Sequence, residues 1–236
     1  GQVLPGRAPG LHLADRGRAD AEAVAERLAA LAVTPAPDPG SAPAGPATPA
    51  IPATPAPETQ PPHMGVRGSR TARKPGPTKV AAVYASPLER AQETAAPIAA
   101  RLGLEVVTEA GLIEMDFGEW TGAELKALYK LPEWNAVQRY PSGFQFPGGE
   151  AFAAMRARMA ATIAVLCRRH PGEIIVCVSH ADPIKTAVSD ALGTHLDLFQ
   201  RISISTCSIT AISYSRTGPA VLAVNTTGGV GDLLPR

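Results

Sequence analysis

Residues 173–180 read E-I-I-V-C-V-S-H, five consecutive apolar positions that end in a serine and a histidine. A strand apolar at every position, rather than at alternate ones, reads as the interior of a sheet covered on both faces, the pattern of parallel strands flanked by helices. Open sheets of that kind bind ligands beyond the carboxyl ends of their strands. His180 therefore stands at a tip where chemistry is expected. A second strand, K-V-A-A-V-Y-A-S at residues 79–86, runs into a Ser86-Pro87 turn and then into a helix, L-E-R-A-Q-E-T-A-A-P-I-A-A-R-L at residues 88–102.

Outward from these two units the alternation continues. A helix is expected from Asp15, with Ala19, Ala23, Leu28 and Leu31 at helical spacing among charges. Further elements are a short strand at 105–107, a glycine-punctuated acidic loop at 111–122, a short helix at 124–129 and a proline-rich turn at 140–149. A long helix at 150–169 carries Phe152, Met155, Met159, Ile163 and Leu166 on one stripe. After His180 come a helix at 183–192 and strands at 202–212 and 221–225. The fold class is α/β, a three-layer α/β/α sandwich with a mostly parallel sheet.

The chain has 236 residues and 24 prolines, and thirteen of those prolines fall between Thr34 and Lys79. That stretch fixes φ repeatedly, removes backbone donors and offers little to bury, so a disordered Pro/Ala-rich insertion is expected at 34–78. It divides one domain into residues 1–33 and 79–228, with a loose tail at 229–236. The end of the insertion carries Arg67, Arg70, Arg73 and Lys74 without an acid, which reads as a solvated linker end. The balance of 22 basic against 21 acidic side chains gives no broad attraction for nucleic acid or an anionic membrane. No apolar run approaches the ~20 residues of a membrane span. Three cysteines without a C-x-x-C pair point to a reduced, cytoplasmic protein with no structural zinc.

Two strand ends carry the candidate chemistry. Arg90 lies in the first turn of a helix, where the positive dipole end favours anions, or else it is a surface arginine paired with Glu89 or Glu93. His180 precedes another helix N-terminus, unless it is a structural histidine bonded to Asp182. Together they make a cradle for phosphate. The loop L-I-E-M-D-F-G-E-W-T-G, residues 112–122, holds Glu114, Asp116 and Glu119. One carboxyl group kept protonated beside a phosphate would serve as proton donor to a leaving oxygen.

The strings V-Y-A-S-P-L-E-R-A-Q-E-T-A, L-I-E-M-D-F-G-E-W-T-G, F-P-G-G-E and V-S-H-A-D-P-I-K, in this order, resemble the histidine phosphatase superfamily, also called phosphoglycerate-mutase-like. They are most similar to the branch with cofactor-dependent phosphoglycerate mutases and broad-specificity phosphatases, and within it to actinobacterial phosphomutases. The resemblance covers about residues 1–32 and 79–228 and implies a phosphatase or phosphomutase acting on a small phosphorylated metabolite. It implies that Arg90 clamps phosphate, that His180 is the second pocket histidine and that Glu114 is the proton donor, with Asp116 its substitute. Ala181 stands where many relatives have glycine and offers a backbone N–H, and Arg7 lies in the substrate-side loop. No metal or cofactor is implied, and a monomer or homodimer is expected.

The family's nucleophile, a histidine in an R-H-G motif at the end of its first strand, is not in this sequence. His12, in G-L-H-L-A-D, matches a loop position instead. The chain as given is expected to be inactive or nearly so, and an upstream segment of roughly 10 to 20 residues is expected to supply an interior strand and the nucleophile. The alternative is a catalytically dead phosphate-binding module that recruits a partner through the proline-rich basic insertion. A Ser-His-Asp hydrolase fits poorly, because Ser179, His180 and Asp182 are too close along one segment to form a triad and no G-x-S-x-G elbow occurs.

Overall fold

The computed structural model describes residues 3–32 and 79–228. The insertion expected at 34–78 and the tail expected at 229–236 lie outside the described residues.

Helix α1 (Asp15–Ala29) buries Ala21, Val24, Ala25 and Leu28, and the following turn buries Leu31. These positions follow the i, i+3, i+4, i+7 rule of an amphipathic helix. Ala19 and Ala23, expected on that stripe, are exposed. Alanine occurs on several faces of α1, so only Val24, Leu28 and Leu31 mark the inner one. Strand β1 (Val80–Ala85) leads into α2 (Glu89–Leu102), whose end is closed by Gly103 at φ +66°. A left-handed residue there costs glycine little and other residues more.

β1 is central. It pairs in parallel with β2 (Val106–Thr108) on one side and with β3 (Ile174–Val178) on the other. Side chains alternate between its faces. Val83 and Ala85 pack with α1 and α2, joined by Val106, Val176 and Val178. Ala82 and Tyr84 face the opposite way, with Ile175, and meet Met159, Leu166 and Ala187 from α5 (Phe152–Arg169) and α6 (Ala181–Ala191). Helices thus cover both faces of a parallel sheet, and the expected three-layer architecture holds.

β3 differs from its expected interior position. Among the described residues it pairs only with β1, and it is half-exposed along its length, with Cys177 exposed outright. Its apolar character on both faces reflects the two helical layers, whereas among the described residues its outer edge carries no strand. The last two strands, β4 (Ile209–Ser215) and β5 (Gly218–Thr226), form a separate antiparallel hairpin. The strand expected from residue 202 begins at Ile209 instead. Leu196–Arg201 is a 3₁₀ turn, and Ser208 Oγ donates to the Ser205 carbonyl at 2.8 Å, closing a bend before β4. Ile209 packs on the α1/α2 core and Ile212 on the α5/α6 core. The hairpin therefore lies between the same two helical layers as β3 without pairing with it.

A side lobe between β2 and α5 contains α3 (Leu125–Leu128) and α4 (Glu133–Arg139). All five phenylalanines and both tryptophans of the chain belong to the one cluster built there. No helix among the described residues is long and apolar enough to cross a membrane.

Candidate active site

Because β1 and β3 are parallel, their carboxyl ends open on the same edge. The Ser86 N–H donates to the Val178 carbonyl at 2.9 Å and extends the pairing past the end of β1. This aligns the residue after one strand with the helix start after the other. Ser86 is fully buried, and its Oγ lies 2.7 Å from His180 Nε2. His180 is therefore held by Ser86 and not by Asp182. Burial, followed by the charges of Arg90, Arg158 and Arg7, pushes the His180 pKa down to about 3. The ring is neutral at pH 7 and can share a hydrogen bond without adding charge.

Arg90 sits in the first turn of α2. Neither Glu89 nor Glu93 holds it: Glu89 accepts from the Gly10 N–H at 3.0 Å, and Glu93 takes the Leu13 N–H at 2.7 Å together with His12 Nδ1. Those carboxylates anchor the 10–13 loop. Glu93 also engages His12, which is exposed and stands away from the strand ends. Arg90 Nη2 donates to the Gly6 carbonyl at 2.8 Å, while Nη1 is buried without a partner among the described residues. A buried donor left unpaired costs roughly 1–3 kcal/mol, more when charged. The Ala181 N–H begins α6 directly after His180.

Glu114 lies on the loop after β2, its Oε1 accepting from the Met115 N–H at 2.9 Å. Burial, reinforced by the nearby charge of Asp182, raises its pKa to about 8. The carboxyl group is thus largely protonated at neutral pH. Asp116, the expected substitute, instead caps the next turn by accepting from the Gly118 N–H at 3.0 Å. Gly118 is required there: it sits at φ +52°, and a Cβ would fall 2.1 Å from the Pro147 carbonyl oxygen.

Two arginines hold the Glu114 loop, and Glu150 holds both. Arg158 Nη1 donates to the carbonyls of Gly111 at 2.7 Å and Ile113 at 2.9 Å, while its Nε and Nη2 form a fork with the Glu150 carboxylate at 3.0 Å each. Arg7 Nε donates to the Glu114 carbonyl at 2.8 Å and its Nη2 to Glu150 at 2.9 Å. Ser179 Oγ ties the Leu112 carbonyl to the end of β3 at 2.7 Å. Arg90, His180, Ala181 and Glu114 thus share one edge, and Arg7 reaches it as part of the loop clamp. The sequence reading missed Ser86, Glu150 and Arg158. Glu150 closes the quoted F-P-G-G-E string, but Arg158 lies eight residues later on α5, outside the i+3 and i+4 spacings that mark helical pairs, so no local signal pointed to it.

Beside this edge a cavity of about 170 Å³ opens into the aromatic lobe. Among the described residues no group of three potential metal ligands stands together.

Known proteins resemble this chain in sequence and in fold. Residues 67–227 match the family described as histidine phosphatase superfamily (branch 1). Phosphoserine phosphatase 1 of Hydrogenobacter thermophilus is 30% identical over 152 residues, covering 64% of this chain and 72% of that protein. The bifunctional protein Rv2228c of Mycobacterium tuberculosis is 31% identical over 167 residues, 70% of this chain but only 45% of its own length. The mycobacterial glucosyl-3-phosphoglycerate phosphatase Rv2419c superposes with a TM-score of 0.68 at 18% identity, covering 96% of this chain and 92% of that one. At that identity the last likeness bears on the fold.

Proposed function

Since the chain belongs to the histidine phosphatase superfamily, whose chemistry is that of phosphomonoester phosphatases and mutases, we propose that it acts on a small phosphorylated metabolite through a phosphohistidine. The observation that carries this reading is the buried, unpartnered Nη1 of Arg90 beside the buried neutral His180, at the carboxyl ends of two parallel strands. A phosphoryl oxygen supplies the acceptor that Nη1 lacks. Arg90, His180 and the Ala181 N–H then neutralise charge on the equatorial oxygens, which is the main catalytic effect in phosphoryl transfer.

Glu114 holds its proton at neutral pH and delivers it to the leaving oxygen as the P–O bond breaks. The attacking group is a neutral imidazole nitrogen, which bonds phosphorus; water then takes the phosphoryl group and restores the ring. Among the described residues no imidazole other than His180 stands at the cradle. Among the described residues the outer edge of β3 is open, and a strand carrying the nucleophile would pair there. Arg7 holds the Glu114 loop on the substrate side.

The single imidazole at the cradle also favours a second reading, a phosphate-binding module without turnover. Hydrolysis of p-nitrophenyl phosphate by the complete protein separates the two. Turnover supports the enzyme. Its absence, with phosphate still raising the melting temperature, supports the module.

A further inference from the structure

The cavity beside the cradle adjoins whatever group the phosphate carries, and its use as a binding space rests on the cradle being a phosphate site. Two of its walls are also neighbours of the cradle. Phe117 lines the cavity and packs against Gly6, where a Cβ would come within 2.9 Å of the ring, and the Gly6 carbonyl is the one that holds Arg90. Asp182 lines it too, in the first turn of α6, two residues after His180. A monoester whose phosphate lies against Arg90 and His180 therefore has this cavity as the adjoining space for its organic group.

Six of the ten lining residues are apolar, four of them aromatic, and the other four are Gln138, Asp182, Lys185 and Gln200. Phe117, Trp134, Phe146 and Phe152 contribute, with ring centroids 5.0 Å apart for Phe117 and Phe146 and 5.3 Å for Phe146 and Phe152. At the polar end Lys185 Nζ donates to Asp182 Oδ1 at 3.0 Å and to Gln200 Oε1 at 3.1 Å. Both charged side chains are mostly buried, 16% and 17% exposed, and they neutralise each other. The cavity thus offers no uncompensated charge to hold an ammonium or a carboxylate, and admitting either would cost desolvation without a partner. Its volume of about 170 Å³ is close to that of an apolar cavity of about 150 Å³ that accepts benzene.

We propose that this cavity takes the uncharged, largely apolar, ring-sized organic group of a phosphomonoester, so that aryl or cycloalkyl phosphates bind in preference to polyol or amino-acid phosphates. Calorimetric titration of the full chain with inorganic phosphate, phenyl phosphate and O-phospho-L-serine tests this without requiring turnover. Phenyl phosphate should bind at least about tenfold more tightly than either of the others, from the apolar area that it buries. Gln138→Trp, at an exposed position on the cavity lining, should bring the ratio of phenyl phosphate to inorganic phosphate affinity close to one, and Trp134→Ala should lower it. Phosphoserine binding as tightly as phenyl phosphate would overturn the proposal, as would a preference that survives both substitutions. Failure of inorganic phosphate to bind at all would instead refute the cradle, and the cavity proposal with it.

Discussion

Arg90 and Arg158 approach the same edge of the sheet and are used in opposite ways. Arg158 has its donors engaged by the Glu150 carboxylate and two loop carbonyls. Arg90 makes one side-chain hydrogen bond and keeps Nη1 buried and unpaired. An arginine whose donors are satisfied within the fold contributes to stability. On the proposed reading, one left short of a partner in a buried place takes its acceptor from the ligand. Arg7, expected on the substrate, has three donors engaged on the clamp side of this divide.

Substitutions turn the contrast into measurements. The largest effect is expected at the clamp. Arg158→Ala leaves the mostly buried Glu150 carboxylate without its fork partner and should cost roughly 3 kcal/mol of stability, the scale for breaking a buried pair. Thermal unfolding reads it as a drop of about 6–12 °C. An unchanged melting temperature would erase the distinction between the two arginines. Arg90→Ala should do the reverse, lowering affinity for phosphate or vanadate about 100-fold, a change of ~2.7 kcal/mol, with little loss of stability. Calorimetry and a thermal scan of one sample report both.

Glu114 and His180 add a dependence on pH. Glu114 rises from 4.5 to about 8 on folding, so between those values the folded chain binds a proton that the unfolded chain has released, and stability falls as pH rises. His180 drops from 6.5 to about 3, so there the unfolded chain binds the extra proton and stability falls as pH is lowered. The two oppose each other between pH 4.5 and 6.5. Above 6.5 Glu114 acts without that opposition, and stability falls as its carboxyl group ionises. Glu114→Gln should abolish that decline in a melting series from pH 6.5 to 8. A decline that persists would assign it to another group. The smallest effect is expected at Glu93→Ala, which frees the exposed His12 and the Leu13 N–H. It should lower the melting temperature least of the four substitutions, because solvent screens an exposed pair.

The features that depend on local pattern were legible in the sequence. The apolar run at 174–178 and the K-V-A-A-V-Y-A-S string mark strands whose ends carry Arg90 and His180, and five regularly spaced positions mark the buried stripe of α5. What was hidden depends on distant partners. Nothing in the string around Ser86 indicates that its hydroxyl meets a histidine 94 positions away. Likewise Arg7 meets Glu150 only because the fold brings the first loop to the turn before α5. An apolar run reports the helices above and below a strand and not the neighbour at its side, so the run at 174–178 could not by itself tell an edge from an interior position.

If Arg90 and His180 together grip a tetrahedral oxyanion, a crystal structure of the chain soaked in orthovanadate will reveal it. The oxyanion should lie within about 3 Å of Arg90 Nη1 and of the His180 ring, giving the buried guanidinium nitrogen its missing acceptor. Vanadate bound elsewhere, with that nitrogen still unpaired, would refute the grip.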